Sequence, residues 1–325
     1  MVKHRSATRP SRGKRARRVV VAIVAAAAIA AGIGFYNKSS DPSGPLPAHL
    51  PATPQSYLGV YTSGLPGSYA AVSAFSGATG AKPDVVMFYS GWYVPFPVKF
   101  AKTVAANGAV PLVQMDPDDI NVAAIASDQY DGYLSSFAEA VRSYRDPVIL
   151  SFGHEMNGSW YSWGYGKTSP ADFVAAWRHV VKLFRALGAT NVTWLWTVNI
   201  INNTQKGKIP SPKAWWPGSS YVDWVGIDGY YLKPSWQFAP LFGPTIADVR
   251  QLTTAPILIG ETGAVPTAGQ SAKITNLYAG VHAYGLLGFV WFNKVNMDNQ
   301  NFVISGAPAF AAFGKGARAY SRPGS

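Results

Sequence analysis

The sequence predicts an α/β protein built as a single (β/α)8 TIM barrel, and three observations predict it. Eight short apolar, β-branched runs succeed one another at intervals of roughly 25 to 45 residues. The runs are continuously apolar instead of alternating, as strands covered on both faces are. Helical stretches lie between them, the pattern of a parallel sheet whose strands cross over through helices.

In chain order, the first element is not part of the barrel. Residues 1–36 begin with Lys3, Arg5, Arg9, Arg12, Lys14, Arg15, Arg17 and Arg18 and no acidic residue, then run through an apolar stretch at 19–35. A basic segment leading into such a stretch is a signal peptide or an uncleaved membrane anchor. Either leaves the basic end in the cytoplasm and exports the remainder of the chain, so the expected location is extracellular or the outer face of the membrane. Residues 37–55, rich in Pro and Ser, read as a linker. Residues 56–325 form the catalytic domain, with strands expected at 57–61, 84–89, 109–114, 147–152, 192–196, 222–227, 256–260 and 286–292. The helices carry their own punctuation: Ser169 as N-cap and Pro170 open one with Phe173, Trp177, Val180, Val181, Phe184 and Leu187 at helical spacing that stops at Gly188. A second covers 130–144.

Charge and cysteine usage exclude several functions. The chain carries 28 Lys+Arg against 16 Asp+Glu, a formal +12, but removing the eight basic residues of the first eighteen leaves 20 against 16. The folded domain is only mildly basic, so no nucleic-acid partner is expected. With no cysteine, thiol catalysis and zinc–thiolate sites are excluded, and core size instead of disulfides must stabilise an exported domain. No Walker-type phosphate loop occurs, and after His154-Glu155 the position where a zinc protease needs its second histidine holds Gly158. Asp116, Asp118 and Asp119 lack the spacing of a calcium loop and read as loop caps. No metal or cofactor is expected.

Chemistry in such a barrel sits in the loops after the strands. Two of these, 153–168 after strand four and 229–244 after strand six, are crowded with Trp and Tyr, which suits stacking on a flat ligand. The chain has three glutamates. Glu139 lies among basic neighbours on a helix and reads as a solvated charge. Glu155 comes after the strand PVILSF and Glu261 ends the strand PILIG, so both point toward the barrel mouth. Two such carboxylates, one protonated and one ionised, are the equipment for glycosidic bond hydrolysis. His154 reads equally as a site residue or a satisfied barrel histidine. Tyr230 and Trp291 read as site residues at strand ends. Trp194, Trp196 and Trp224 are left to packing, and Trp163, Trp215, Trp216 and Trp236 are candidates for outer subsites.

The stretches SFGHEMNGSWYSWG, AAWRHVVKLFRALGATNVTWLW, WWPGSSYVDWVGIDGYY and PILIGETG resemble glycoside hydrolase family 26, best known for endo-β-1,4-mannanases, and the likeness runs in order over about 56–315. The resemblance implies a retaining double displacement with Glu155 as acid/base and Glu261 as nucleophile. It also implies His154 lining the subsite of the cleaved sugar, Trp160 and Trp291 stacking on sugars, Tyr230 bonding the nucleophile, and Asp228 as a supporting acid. The expected partner is a polysaccharide, mannan or glucomannan, and the expected state a monomer. One departure concerns the substrate: family mannanases commonly end strand three with a Trp-His pair, where this chain has LVQMDP with Gln114 and Asp116. A mixed-linkage β-glucanase or xylanase of the same family therefore stays open, as does a barrel that binds polysaccharide without cutting it. Retention of both glutamates favours the enzyme, because binding needs neither an acid nor a nucleophile.

Overall fold

A computed structural model describes residues 49–201 and 209–320. The basic segment, the apolar stretch and the first part of the linker lie outside these residues. Among the described residues, no helix is long and apolar enough to cross a membrane.

Eight parallel strands close into a barrel in sequence order: β1 (Tyr57–Thr62), β2 (Val85–Gly91), β3 (Val110–Asp116), β4 (Val148–Phe152), β5 (Val192–Asn199), β6 (Trp224–Asp228), β7 (Ile257–Thr262) and β8 (Gly288–Asn293). The connecting α-helices are α1 (Ala70–Thr79), α2 (Val98–Ala106), α3 (Asp131–Tyr144), α4 (Pro170–Ala186), α5 (Phe238–Arg250) and α6 (Gln270–Ala283), with α7 (Ala307–Ala317) after the last strand. Between β5 and β6 the described residues hold two 3-10 turns, Pro212–Trp215 and Ser219–Tyr221, and no α-helix.

All eight expected strands form, but most run one to three residues further toward the mouth than their apolar runs. The extra residues include Asp116, Asn199, Glu261 and Asn293, polar groups that hydropathy assigns to loops. α4 starts as its sequence predicts. The Ser169 hydroxyl accepts from the Asp172 amide at 3.1 Å, and Phe173, Trp177, Val180, Val181 and Phe184 are buried. Loss of such a cap costs about 1 kcal/mol.

Strand alternation divides the core in two. Tyr57, Met87, Leu112, Ile149, Leu195, Leu258 and Val290 fill the barrel interior. Trp177, Trp194, Trp196, Phe289 and Phe313 pack between strands and helices. Of the Trp residues assigned to packing, Trp224 faces the interior, where its ring meets Tyr57 at 4.9 Å.

The linker ends sooner than its composition indicates. Leu50 donates its amide to the Thr193 hydroxyl at 3.4 Å, Pro51 accepts from the Tyr57 hydroxyl at 2.7 Å, and Gln55 bonds the Leu286 carbonyl at 2.9 Å. Residues 49–55 are thus tied to the barrel, because Leu50 finds apolar cover there.

Candidate active site

The mouth of the barrel is assembled from the polar ends of the strands. On β7, Leu258 faces the interior and Ile259 the helices, so strict alternation would turn Gly260 inward and Glu261 outward. The strand does not alternate strictly. Gly226 pairs with Leu258 but Asp228 pairs with Glu261, and Ile259 pairs with Phe289 but Thr262 with Trp291. β7 therefore carries one residue more than either neighbour, a bulge that re-aims a side chain. It brings the Glu261 carboxylate inward, where Oε2 accepts from the Tyr230 hydroxyl at 2.5 Å and Oε1 from the Tyr89 hydroxyl. Position 260 has to be glycine for this packing, since a Cβ there would lie 2.6 Å from Asp228 Oδ1.

Glu155 comes from the turn after β4, where Gly153 (φ +55) and Glu155 itself (φ +54) are both left-handed. That conformation is natural for glycine and strained for glutamate, and it persists because the surroundings fix it. The Glu155 amide donates to the Thr197 carbonyl at 2.9 Å. Two residues on, Asn157 clasps the backbone of Asn199 from both sides, accepting its N–H at 2.8 Å and donating to its C=O at 2.8 Å. The clasp fixes the end of β5, so Asn199 Nδ2 meets Glu155 Oε1 at 2.6 Å. The other oxygen, Oε2, accepts the indole N–H of Trp160 at 2.7 Å.

His154 is buried with both ring nitrogens engaged. Nδ1 lies 2.9 Å from Asp116 Oδ1 and Nε2 lies 3.0 Å from the Tyr161 hydroxyl. Tyr161 in turn stacks on Trp163 at 4.4 Å with the rings almost parallel.

These contacts set the charges. Burial alone would lower the His154 pKa, but the charge and hydrogen bond of Asp116 outweigh it and push the imidazole up to about 9. Burial pushes Glu155 up to about 7 against the opposing pull of the His154 charge, with Glu261 adding to the rise and the Asn199 and Trp160 donors resisting it. Glu261 is also raised by burial, while His154 and the two tyrosine hydroxyls favour its ionised form. Asp228 is raised well above the usual carboxylate range by burial, with Glu261 and Glu155 adding to it. The Glu261 backbone opposes this rise, and no side chain bonds either Asp228 oxygen among the described residues.

The structure brings Glu155, Glu261, His154, Tyr230, Asp228 and Trp160 together. It does not bring Trp291. On β8, Val290 and Phe292 face the interior, so Trp291 faces the helices, fully buried with its indole bonded to the Phe302 carbonyl at 3.0 Å. Its expected place against a sugar is corrected on that parity. Phe292, its neighbour, lines the mouth beside Tyr61 and Tyr230, with ring centroids 4.9 and 5.7 Å away. Trp163 and Trp215 are core residues as well, not outer subsites. Asp116 is corrected too: it is no loop cap but the last residue of β3, occupied by His154.

Sequence reading missed Tyr89, Asn199, Tyr161 and Asn157. Alternation would have found the first two, Tyr89 as the last residue of its expected strand and Asn199 three residues past its apolar run. Tyr89 succeeds inward-facing Val85 and Met87, and Asn199 succeeds inward-facing Leu195 and Thr197.

Fold and site together define a class: a (β/α)8 barrel with a buried carboxylate pair at its C-terminal mouth. Residues 99–296 match the glycosyl hydrolase family 26 sequence profile, and the chain belongs to that family. Endoglucanase H of Acetivibrio thermocellus is 31% identical over 280 residues, covering 79% of this chain and 31% of that protein. Mannan endo-1,4-beta-mannosidase A and B of Caldalkalibacillus mannanilyticus is 27% identical over 88 residues, covering 25% of this chain and 16% of that protein. The chain thus spans less than a third of the length of either relative. The catalytic domain of the Bacillus sp. JAMB-750 endo-beta-1,4-mannanase shares the fold with a TM-score of 0.64 at 17% identity, over 81% of this chain and 86% of that one.

Proposed function

We propose that the domain is a retaining glycoside hydrolase that cleaves β-1,4-linked polysaccharide by double displacement. The observation that carries the reading is the buried carboxylate pair, Glu155 pushed up to about 7 by burial and Glu261 accepting from two tyrosine hydroxyls that favour its ionised form against burial. An acid/base works best with a pKa near the working pH, and a nucleophile must be charged. Protonated Glu155 donates to the glycosidic oxygen as the bond to the anomeric carbon breaks. Glu261 attacks that carbon and forms the glycosyl–enzyme ester. Glu155, now ionised, takes a proton from water, whose oxygen displaces Glu261 and releases the sugar.

Mannan or glucomannan is the substrate that the motif resemblance favours. A β-glucan is the second reading. It is favoured by the similarity to endoglucanase H over most of this chain, and by Asp116, which holds His154 at the end of β3. The basic and apolar N-terminal segment supports export of the domain or its tethering outside the membrane.

The test is reducing-end release from mannan, glucomannan, mixed-linkage glucan and xylan, with wild type, Glu155→Ala and Glu261→Ala. Each substitution is expected to lower kcat by roughly 10²-fold or more. Full activity of either variant on the substrate that the wild type cleaves would overturn the assignment. Azide is expected to rescue Glu261→Ala with inverted product.

A further inference from the structure

Beyond the carboxylates, the rim formed by the ends of β2 and β3 holds a feature that the reaction itself does not use. β2 ends in a tight turn closed by the Val94 amide on the Gly91 carbonyl at 3.1 Å, and within it Tyr93 adopts φ +65. A left-handed backbone is costly for an aromatic residue and persists where something else requires it. Tyr93 is 47% exposed although large and apolar, and Val94 beside it is equally exposed. The base beneath it is rigid. Trp92 is buried against Tyr133 at 4.8 Å and Tyr130 at 5.6 Å, Tyr133 flanks Tyr93 at 5.4 Å, and the Tyr133 hydroxyl donates to the Val94 carbonyl at 3.1 Å. The result is an aromatic ring held out to solvent on a braced base.

A carboxylate faces the same turn. Asp118 Oδ2 lies 4.0 Å from the position a side chain at Gly91 would take, which puts the carboxylate beside the end of β2. Asp118 is exposed and has no hydrogen bond or ion pair among the described residues, while it feels the charges of Asp116, Asp119 and His154. The braced ring and the open acceptor thus share one edge of the mouth, four residues along the chain from Tyr89, which bonds Glu261.

We propose that Tyr93 and Asp118 form a glycosyl subsite, Tyr93 stacking on the face of a pyranose unit and Asp118 accepting its hydroxyls. A sugar ring presents an apolar C–H face and a polar edge, and a flat ring beside an unpaired carboxylate matches both. The unit is a neutral one, since a uronate would meet Asp118 and Asp119. The subsite deepens the proposed function and rests on it for the identity of the polymer. It adds affinity for chains long enough to extend past the point of cleavage.

Two readouts test it. In turnover, Tyr93→Ala is expected to raise KM for the polysaccharide about tenfold more than KM for the shortest oligosaccharide that the enzyme cleaves. Asp118→Asn, which breaks no contact in the fold, is expected to shift the same ratio in the same direction. In binding, Glu261→Ala protein is run through gels containing the polysaccharide, and adding Tyr93→Ala is expected to abolish most of its retardation. The binding readout stands even if no hydrolysis is found, so failure of the catalytic reading and failure of the subsite are separate results. Equal effects on long and short substrates, or retardation that neither variant changes, would overturn the subsite.

Discussion

The indole N–H of Trp160 caps Glu155 Oε2 at 2.7 Å, and Trp160 itself is 41% exposed. The ring packs against Gly158, where a Cβ would stand 2.2 Å from it. A residue expected only to stack on sugar therefore also tunes the group beside it. Its donor favours ionised Glu155, so removing the donor should raise that pKa further. Trp160→Phe keeps an aromatic face and loses the N–H. The alkaline limb of the kcat/KM–pH profile, near pH 7 in the wild type, is expected to move up by about one unit. A KM increase with an unmoved profile would leave Trp160 a stacking residue alone.

Asp228 makes the opposite kind of prediction. Its folded pKa is raised, so the native state holds a proton that the unfolded chain releases, and stability falls as pH climbs from about 4 through that raised value. Asp228→Asn removes this slope and keeps the shape. The variant is expected to unfold at a higher temperature than wild type at pH 7, by an amount worth about 1–3 kcal/mol, with the gap closing near pH 4. Calorimetric scans at the two pH values check it.

His154 carries a slope in another window. Its pKa is raised to about 9 by Asp116, so its stabilising contribution is complete below about 6.5 and is lost as pH rises through about 9. The wild type is expected to lose stability between pH 7 and 10 more steeply than Asp116→Asn, in which the imidazole has no anionic partner. Parallel unfolding curves for the two proteins would contradict the pair's role.

Gly260 and Asp228 should be coupled. Gly260→Ala places a methyl 2.6 Å from Asp228 Oδ1 and is expected to cost about 1–3 kcal/mol and to displace Glu261 from its tyrosines. Shortening the opposing side chain in Gly260→Ala/Asp228→Ala is expected to recover part of that stability. A double-mutant cycle on unfolding free energy measures the coupling, and strict additivity would argue against the clash.

The barrel was legible because burial on both faces writes a strand as an unbroken apolar run, and Ser169-Pro170 writes a helix start as plainly. Glu155 and Glu261 were legible because so few glutamates occur and both stand at the ends of such runs. Tyr89 escaped although it stands inside its expected strand, because an unbroken apolar run does not say which side chains face the mouth. Asn199 escaped because β5 continues three residues past its apolar run, where only the two-residue alternation persists. Asn157 and Tyr161 act across the turn after β4 through contacts that no local pattern encodes. Trp291 was misassigned for a related reason: standing at a strand end says nothing about which way a ring points, and its position next to inward-facing Phe292 decides it. The β7 bulge left no mark in composition at all, since a length difference between neighbouring strands exists only once they pair.

That extra residue has an evolutionary consequence. The orientation of Glu261 depends on the count of residues in β7 as much as on their identity. A single-codon deletion before Glu261 would leave every aromatic of the mouth in the gene yet turn the Glu261 carboxylate toward the helices. A hydrolase could thus decay into a lectin-like scaffold in one step, and a gene surveyed for its glutamates alone would still read as intact.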